Sequence, residues 1–90
     1  MKRLRINVYG RVQGVYYRAS TQKYCREHAI SGFVRNESDG SVYLEAESDE
    51  ARLEHLLLWL KKGPPMSRVT EVKKEEIPVT GQRGFEITRL

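Results

Sequence analysis

Residues 4–18 confine the fold more than any other stretch, because a period of two gives way there, across a short glycine-bracketed turn, to a helical period. Leu4, Ile6 and Val8 alternate with Arg3, Arg5 and Asn7, as a strand with one buried face requires. Gly10 and Gly14 then enclose Arg11, Val12 and Gln13. From about residue 16 to 28, Tyr17, Thr21, Tyr24 with Cys25, and His28 recur at spacings that put them on one helix face.

The rest of the chain repeats this grammar. Residues 32–36 and 42–46 read as two strands, joined by Glu37-Ser38-Asp39-Gly40, in which Asp-Gly supplies the positive φ of a tight hairpin. A second helix is predicted from about residue 49 to 62, with Leu53, Leu56, Leu57 and Leu60 inward and Asp49 and Glu50 at the positive end of its dipole. Gly63-Pro64-Pro65 stops it. Residues 69–76 are extended and carry Lys73, Lys74, Glu75 and Glu76 in a row, the composition of a protected edge strand. Pro78, Gly81 and Gly84 mark a loop, and residues 85–88 close the chain as a short strand with Phe85 and Ile87 facing inward. The order predicts an α+β, ferredoxin-like split βαβ sandwich: an antiparallel sheet of four to five strands with two helices on one face.

With 90 residues the chain is expected to form one domain, residues 1–90, burying roughly 60–65% of its extended surface. Its core must form without crosslinks, since Cys25 stands alone and one thiol makes neither an internal disulfide nor a zinc set. Charges run through the first eight residues, and the longest apolar run, residues 56–60, is too short to span a bilayer. A soluble, cytoplasmic protein is expected. The net charge of +4 favours anionic ligands without choosing among them.

The turn after the first strand carries the chemical signal. Glycines let successive backbone N–H groups point into one hollow, and a helix start adds unpaired donors and partial positive charge. Arg18, one turn into the helix, can swing its guanidinium over the same hollow and hold two oxygens of a tetrahedral anion. On the residues alone, an ordinary connection with a solvated arginine stays open, and Asn36 reads as a cap on the hairpin. Other phosphatase chemistries fail on spacing: the residue six beyond Cys25 is Ser31 rather than arginine, no Asp-x-Asp occurs, and His28 and His55 sit on different helices. Each histidine reads as a surface or packing residue, and Cys25 as core.

Gly10-Arg11-Val12-Gln13-Gly14-Val15-Tyr16-Tyr17-Arg18, taken with Gly32-Phe33-Val34-Arg35-Asn36 and Asp39-Gly40-Ser41-Val42, resembles the acylphosphatase family. Both of that family's signature segments stand in the expected order and separation. The similarity runs from Leu4 to Thr88 and includes the Gly-Pro-Pro and Phe-Glu-Ile segments. Phe33 replaces a common tryptophan, a matter of packing; Glu47-Ser48-Asp49 lacks a usual glycine, a matter of the local turn. The resemblance implies a cofactor-free, metal-free hydrolase that cleaves acyl phosphates to carboxylate and inorganic phosphate. It makes Arg18 the phosphate ligand, the backbone of Gly10, Arg11, Val12, Gln13, Gly14, Val15 and Tyr16 the cradle, and Asn36 the residue that orients the attacking water. A monomer is expected, with neither nucleic acid nor membrane as partner.

Two rivals differ in kind. A non-catalytic anion- or RNA-binding module of the same fold would need stacked aromatics on the central strands, where the sequence offers Tyr43. A carbamoyl-phosphate-processing module would continue into zinc-binding segments, whereas this sequence ends at Leu90.

Overall fold

The computed structural model describes residues 1–89. Strand β1 spans Lys2–Arg11, helix α1 Tyr17–Glu27, β2 Ser31–Asn36, β3 Val42–Ser48, helix α2 Glu50–Lys62, β4 Arg68–Ile77 and β5 Phe85–Ile87. The sheet order is β4-β1-β3-β2-β5. The first four strands pair antiparallel, and charge-rich β4 lies at an edge, as its composition predicts. The α+β, ferredoxin-like arrangement follows.

Registers decide which side chains meet the helices. Ile6 faces Leu44, Val8 faces Val42, and Val34 faces Leu44, and all five are fully buried. Tyr17, Thr21 and Cys25 of α1 and Leu53, Leu56 and Leu60 of α2 close over them. Leu57 is half-buried, and Tyr24 packs against Trp59 at 5.1 Å between ring centroids. Asp49 caps α2 by accepting from the Arg52 amide at 2.8 Å, so the turn lacking a glycine is closed by a side chain instead. At the other end Gly63, with φ 67°, accepts no side chain: a Cβ there would stand 2.9 Å from Tyr17 Cε2.

Three expectations are corrected. His28 lies outside the buried face; it is exposed, stacked on Tyr24, with Nδ1 donating to the Tyr24 carbonyl at 2.7 Å. Strand β5 runs parallel to β2, pairing Gly32 with Phe85 and Val34 with Ile87, so the five-stranded sheet is mixed. Phe85 is fully buried, but Ile87, on the same face two residues on, stays 37% exposed.

The parallel strand follows from a buried polar cluster. Arg3 and Glu47 are each 2% exposed. Arg3 donates to Glu45 at 2.9 Å, to Glu47 at 3.1 Å, to Thr80 Oγ1 at 3.0 Å and to Gln82 Oε1 at 2.9 Å. Glu47 in turn accepts the amides of Thr80 and Gly81, both at 2.9 Å. Gln82 Nε2 donates to the Gly32 carbonyl at 2.8 Å, and the Gly32 amide to the Gly84 carbonyl at 2.9 Å. The chain leaving β4 is thereby carried across the end of the sheet to the far side of β2.

The Thr80 amide, above all, and Arg3 hold the Glu47 carboxyl below the usual carboxylate range, against the opposing effect of burial. The unfolded chain therefore binds the proton at a higher pH than the native one. The stabilisation is complete above the ordinary value of about 4.3 and is lost as pH falls through the lower native pKa. Glu47→Gln is expected to lose about 2 kcal/mol or more at neutral pH. Urea denaturation across pH 2–7 should show the gap between the two proteins narrowing on the acid side; a gap independent of pH would remove this role from Glu47.

Candidate active site

Strand β1 changes register against β4 between Tyr9 and Gly10. Gly10 has φ 122°, and a Cβ on it would overlap the Arg68 carbonyl oxygen, so only glycine fits this close approach. Gly10 and Arg11 still belong to the sheet, paired with Val69 and Arg68, and they do not line the cavity described below.

The turn proper follows. Val12 and Val15 are buried and root it in the core, while Gly14 (φ 72°) and Tyr16 (φ 62°) adopt the left-handed conformation. For Tyr16 that costs roughly 1–2 kcal/mol. The first helical hydrogen bond runs from the Ser20 amide to the Tyr16 carbonyl at 3.0 Å. Among the described residues, the backbone amides of residues 14–19 have no acceptor, and no side chain caps the helix. These donors, with the positive end of α1, form an anion-receptive rim.

Two side chains fix the rim in place. Gln13 Nε2 donates to the carbonyls of Glu37 and Ser41, each at 2.8 Å, and so ties the turn to the β2–β3 hairpin. Tyr17 Oη donates to the Leu60 carbonyl at 2.6 Å, tying the start of α1 to the end of α2. Burial raises the Tyr17 phenol above its usual value, so it remains a neutral donor.

A cavity of about 460 Å³ opens at this rim. Arg18 and Asn36 line it together with Val12, Gly14 and Tyr16, and Ile87 and Arg89 form a further part of its lining. The structure thus brings the two residues singled out as catalytic to one hollow. Asn36, the last residue of β2, lies on the helix side of the sheet, opposite Val42. Its Oδ1 is buried and has no hydrogen-bond partner among the described residues. The hairpin is closed without it: Asp39 Oδ1 accepts from the Ser41 amide at 2.9 Å, and the Glu37 amide reaches the Ser41 carbonyl at 2.9 Å. Asn36 is therefore no hairpin cap.

Among the described residues, two cations and no acid line the cavity. Neither Arg18 nor Arg89 has an ion-pair partner among the described residues, although Arg3, Arg5, Arg26, Arg35 and Arg52 all do. Ile87 and Arg89 escaped the sequence reading, which placed Ile87 in the core. The signal lay in the strand register, which a sequence does not print.

Other reactive groups stand apart. Cys25 is fully buried, and burial pushes its thiol up to about 12, leaving it without thiolate character. No three His, Cys, Asp or Glu side chains among the described residues are arranged to hold a metal ion, and no described helix is long and apolar enough to cross a membrane. A larger groove, of about 680 Å³, runs beside Tyr24, Trp59 and Pro64. It lacks the convergent unpaired donors of the smaller cavity, and chemistry outweighs volume in choosing between them.

The acylphosphatase family model matches residues 4–87. An acylphosphatase of Methylococcus capsulatus is 48% identical over 82 residues, covering 91% of this chain and 89% of that one. The crystal structure of Bacillus subtilis acylphosphatase superposes with a TM-score of 0.95 at 36% identity, covering 98% of this chain and 99% of that one. An acylphosphatase structure from Coxiella burnetii gives 0.93 at 36% identity, covering 97% and 92%. With its two motif segments meeting at one cationic cavity, this chain belongs to the acylphosphatase family.

Proposed function

We propose that this chain hydrolyses acyl phosphates by direct attack of water on phosphorus, with Arg18 and the unpaired amides from Gly14 into the start of α1 holding the phosphoryl group and Asn36 holding the water. The observation that carries the reading is that Arg18 and Asn36 line one cavity, with Asn36 Oδ1 left without a hydrogen-bond partner among the described residues.

The chemistry suits so sparse a set of groups. The bond that breaks joins phosphorus to a carboxylate oxygen, and a carboxylate is a weak base that leaves without a proton. A general acid is therefore unnecessary. Phosphoryl transfer asks chiefly for alignment and for neutralisation of charge on the equatorial oxygens. The Arg18 fork and the unpaired amides at the start of α1 supply that neutralisation without reorganising. Asn36 Oδ1 accepts one hydrogen of the water, which turns an oxygen lone pair toward phosphorus. The water oxygen becomes the fourth oxygen of inorganic phosphate, the acyl group departs as carboxylate, and the water's proton passes to a phosphate oxygen. No side chain in the cavity need act as base.

Nucleic acid has no place in this reading. On the open face of the sheet Tyr43 and Phe33 lie 6.0 Å apart with Arg35 over both rings, a pairing that offers stacking. Yet Glu37, Glu45, Glu47 and Glu75 pair the face's Arg3, Arg5 and Arg35, so much of its positive charge is already neutralised, whereas phosphate backbones need unpaired cations.

Arg18→Ala is expected to slow hydrolysis of benzoyl phosphate, assayed with EDTA present, by about 10²–10³, the scale of losing one preorganised donor. Near-normal turnover would remove Arg18 from the site. Asn36→Ala should lower kcat while competitive inhibition by inorganic phosphate stays close to wild type. A collapse of phosphate affinity in that variant would make Asn36 a ligand rather than the holder of water.

A further inference from the structure

The cavity is larger than a phosphoryl group needs, and its second wall has a chemistry of its own. Strand β5 pairs with β2 in parallel, Gly32 beside Phe85 and Val34 beside Ile87. Two residues further along the same register, position 89 falls beside Asn36 and on the same side of the sheet. The backbone holds to that course, because the Thr88 amide donates to the Val34 carbonyl at 2.9 Å. Along this face Phe85 is sealed in the core, Ile87 is 37% exposed, and both Ile87 and Arg89 line the cavity.

Arg18 is the second residue of α1 and Arg89 lies just beyond the end of β5, so the two arginines line the cavity from different elements. Neither is neutralised by a carboxylate among the described residues. If both gripped the phosphoryl group, no charged side chain among the described lining residues would be left to meet the acyl group. A cation one residue-pair beyond an aliphatic side chain matches a short carbon chain that ends in a second anion.

We propose that Ile87 and Arg89 form the acyl-group subsite of this cavity, and that Arg89 selects acyl phosphates whose acyl portion carries a further negative charge, such as the mono-phosphoryl anhydride of a dicarboxylic acid. The subsite rests on the reading of the cavity as an acyl phosphate site. Ile87 covers the methylenes next to the carbonyl, and Arg89 donates to the distal carboxylate. The pair is solvent-exposed, so its contribution is modest and sensitive to salt.

The test compares succinyl phosphate with acetyl phosphate in the wild type and in Arg89→Ala, Arg89→Glu and Arg89→Lys. The quantity read is the ratio of kcat/KM for the two substrates. Arg89→Ala should lower that ratio about fivefold, chiefly through KM for succinyl phosphate, since a rim charge is worth up to about 1 kcal/mol. Arg89→Glu should lower it further, and Arg89→Lys should keep most of it. An unchanged ratio overturns the proposal, whether both activities persist or both fall together; the second pattern would make Arg89 a phosphoryl ligand or a structural residue. Failure of the wild type to hydrolyse either substrate would instead overturn the reading of the cavity as an acyl phosphate site.

Discussion

The site depends on one side chain reaching across the end of the sheet. Strands β1 and β2 are not neighbours; β3 lies between them, so the turn after β1 and the tip of β2 have no backbone ladder in common. Gln13 spans the gap by giving both hydrogens of one amide nitrogen to the carbonyls of Glu37 and Ser41. Those carbonyls flank the hairpin that follows Asn36. The separation between the unpaired amides and Asn36 Oδ1 is thereby set by two hydrogen bonds of 2.8 Å rather than by loop flexibility, and preorganisation of this kind is what makes a small donor set effective.

Around that bridge the molecule tolerates several unfavourable local features. Tyr16 is left-handed, and among the described residues Asn36 Oδ1 is buried without a partner and two arginines share a hollow with no acid. Each raises the free energy of the folded chain, and all of these residues line the one cavity. The opposing stabilisation lies elsewhere: in the apolar layer between sheet and helices, and in the phenol of Tyr17, which satisfies a carbonyl at the end of α2. Function and stability are thus assigned to different ends of the same elements.

How much of this was legible in the sequence varied with the kind of interaction. Alternation in residues 4–8 and the leucine spacing of α2 announced their elements because burial on one face imposes a period. The Asp-Gly hairpin and the Gly-Pro-Pro stop were legible because turn chemistry is local. Arg3 and Glu47 were not, since they occupy the outward phase of their strands and period alone assigns them to solvent; a chain segment 77 residues from Arg3 covers them. His28 has the phase of the buried face but falls just past the last turn of α1, where helical geometry has ended. For Gln13 only the backbone drew notice, because nothing in the sequence shows that its amide has two carbonyls within reach. The motif segments were legible as a resemblance, but their meeting at one cavity depends on the fold.

The parallel fifth strand links the two ends of the molecule. The Arg3–Glu47 cluster sits where β1 begins and β3 finishes, at the opposite end of the sheet from Arg18 and Asn36. By gripping the amides of Thr80 and Gly81 it starts β5 at that distant end and aims it along β2 toward the cavity. Were the chain to return antiparallel instead, its last residues would run away from Asn36, and neither Ile87 nor Arg89 would reach the hollow. The cavity wall formed by Ile87 and Arg89 is therefore set by the direction of a three-residue strand. A buried ion pair at the far end of the sheet fixes that direction, which gives it a specific task beyond stability.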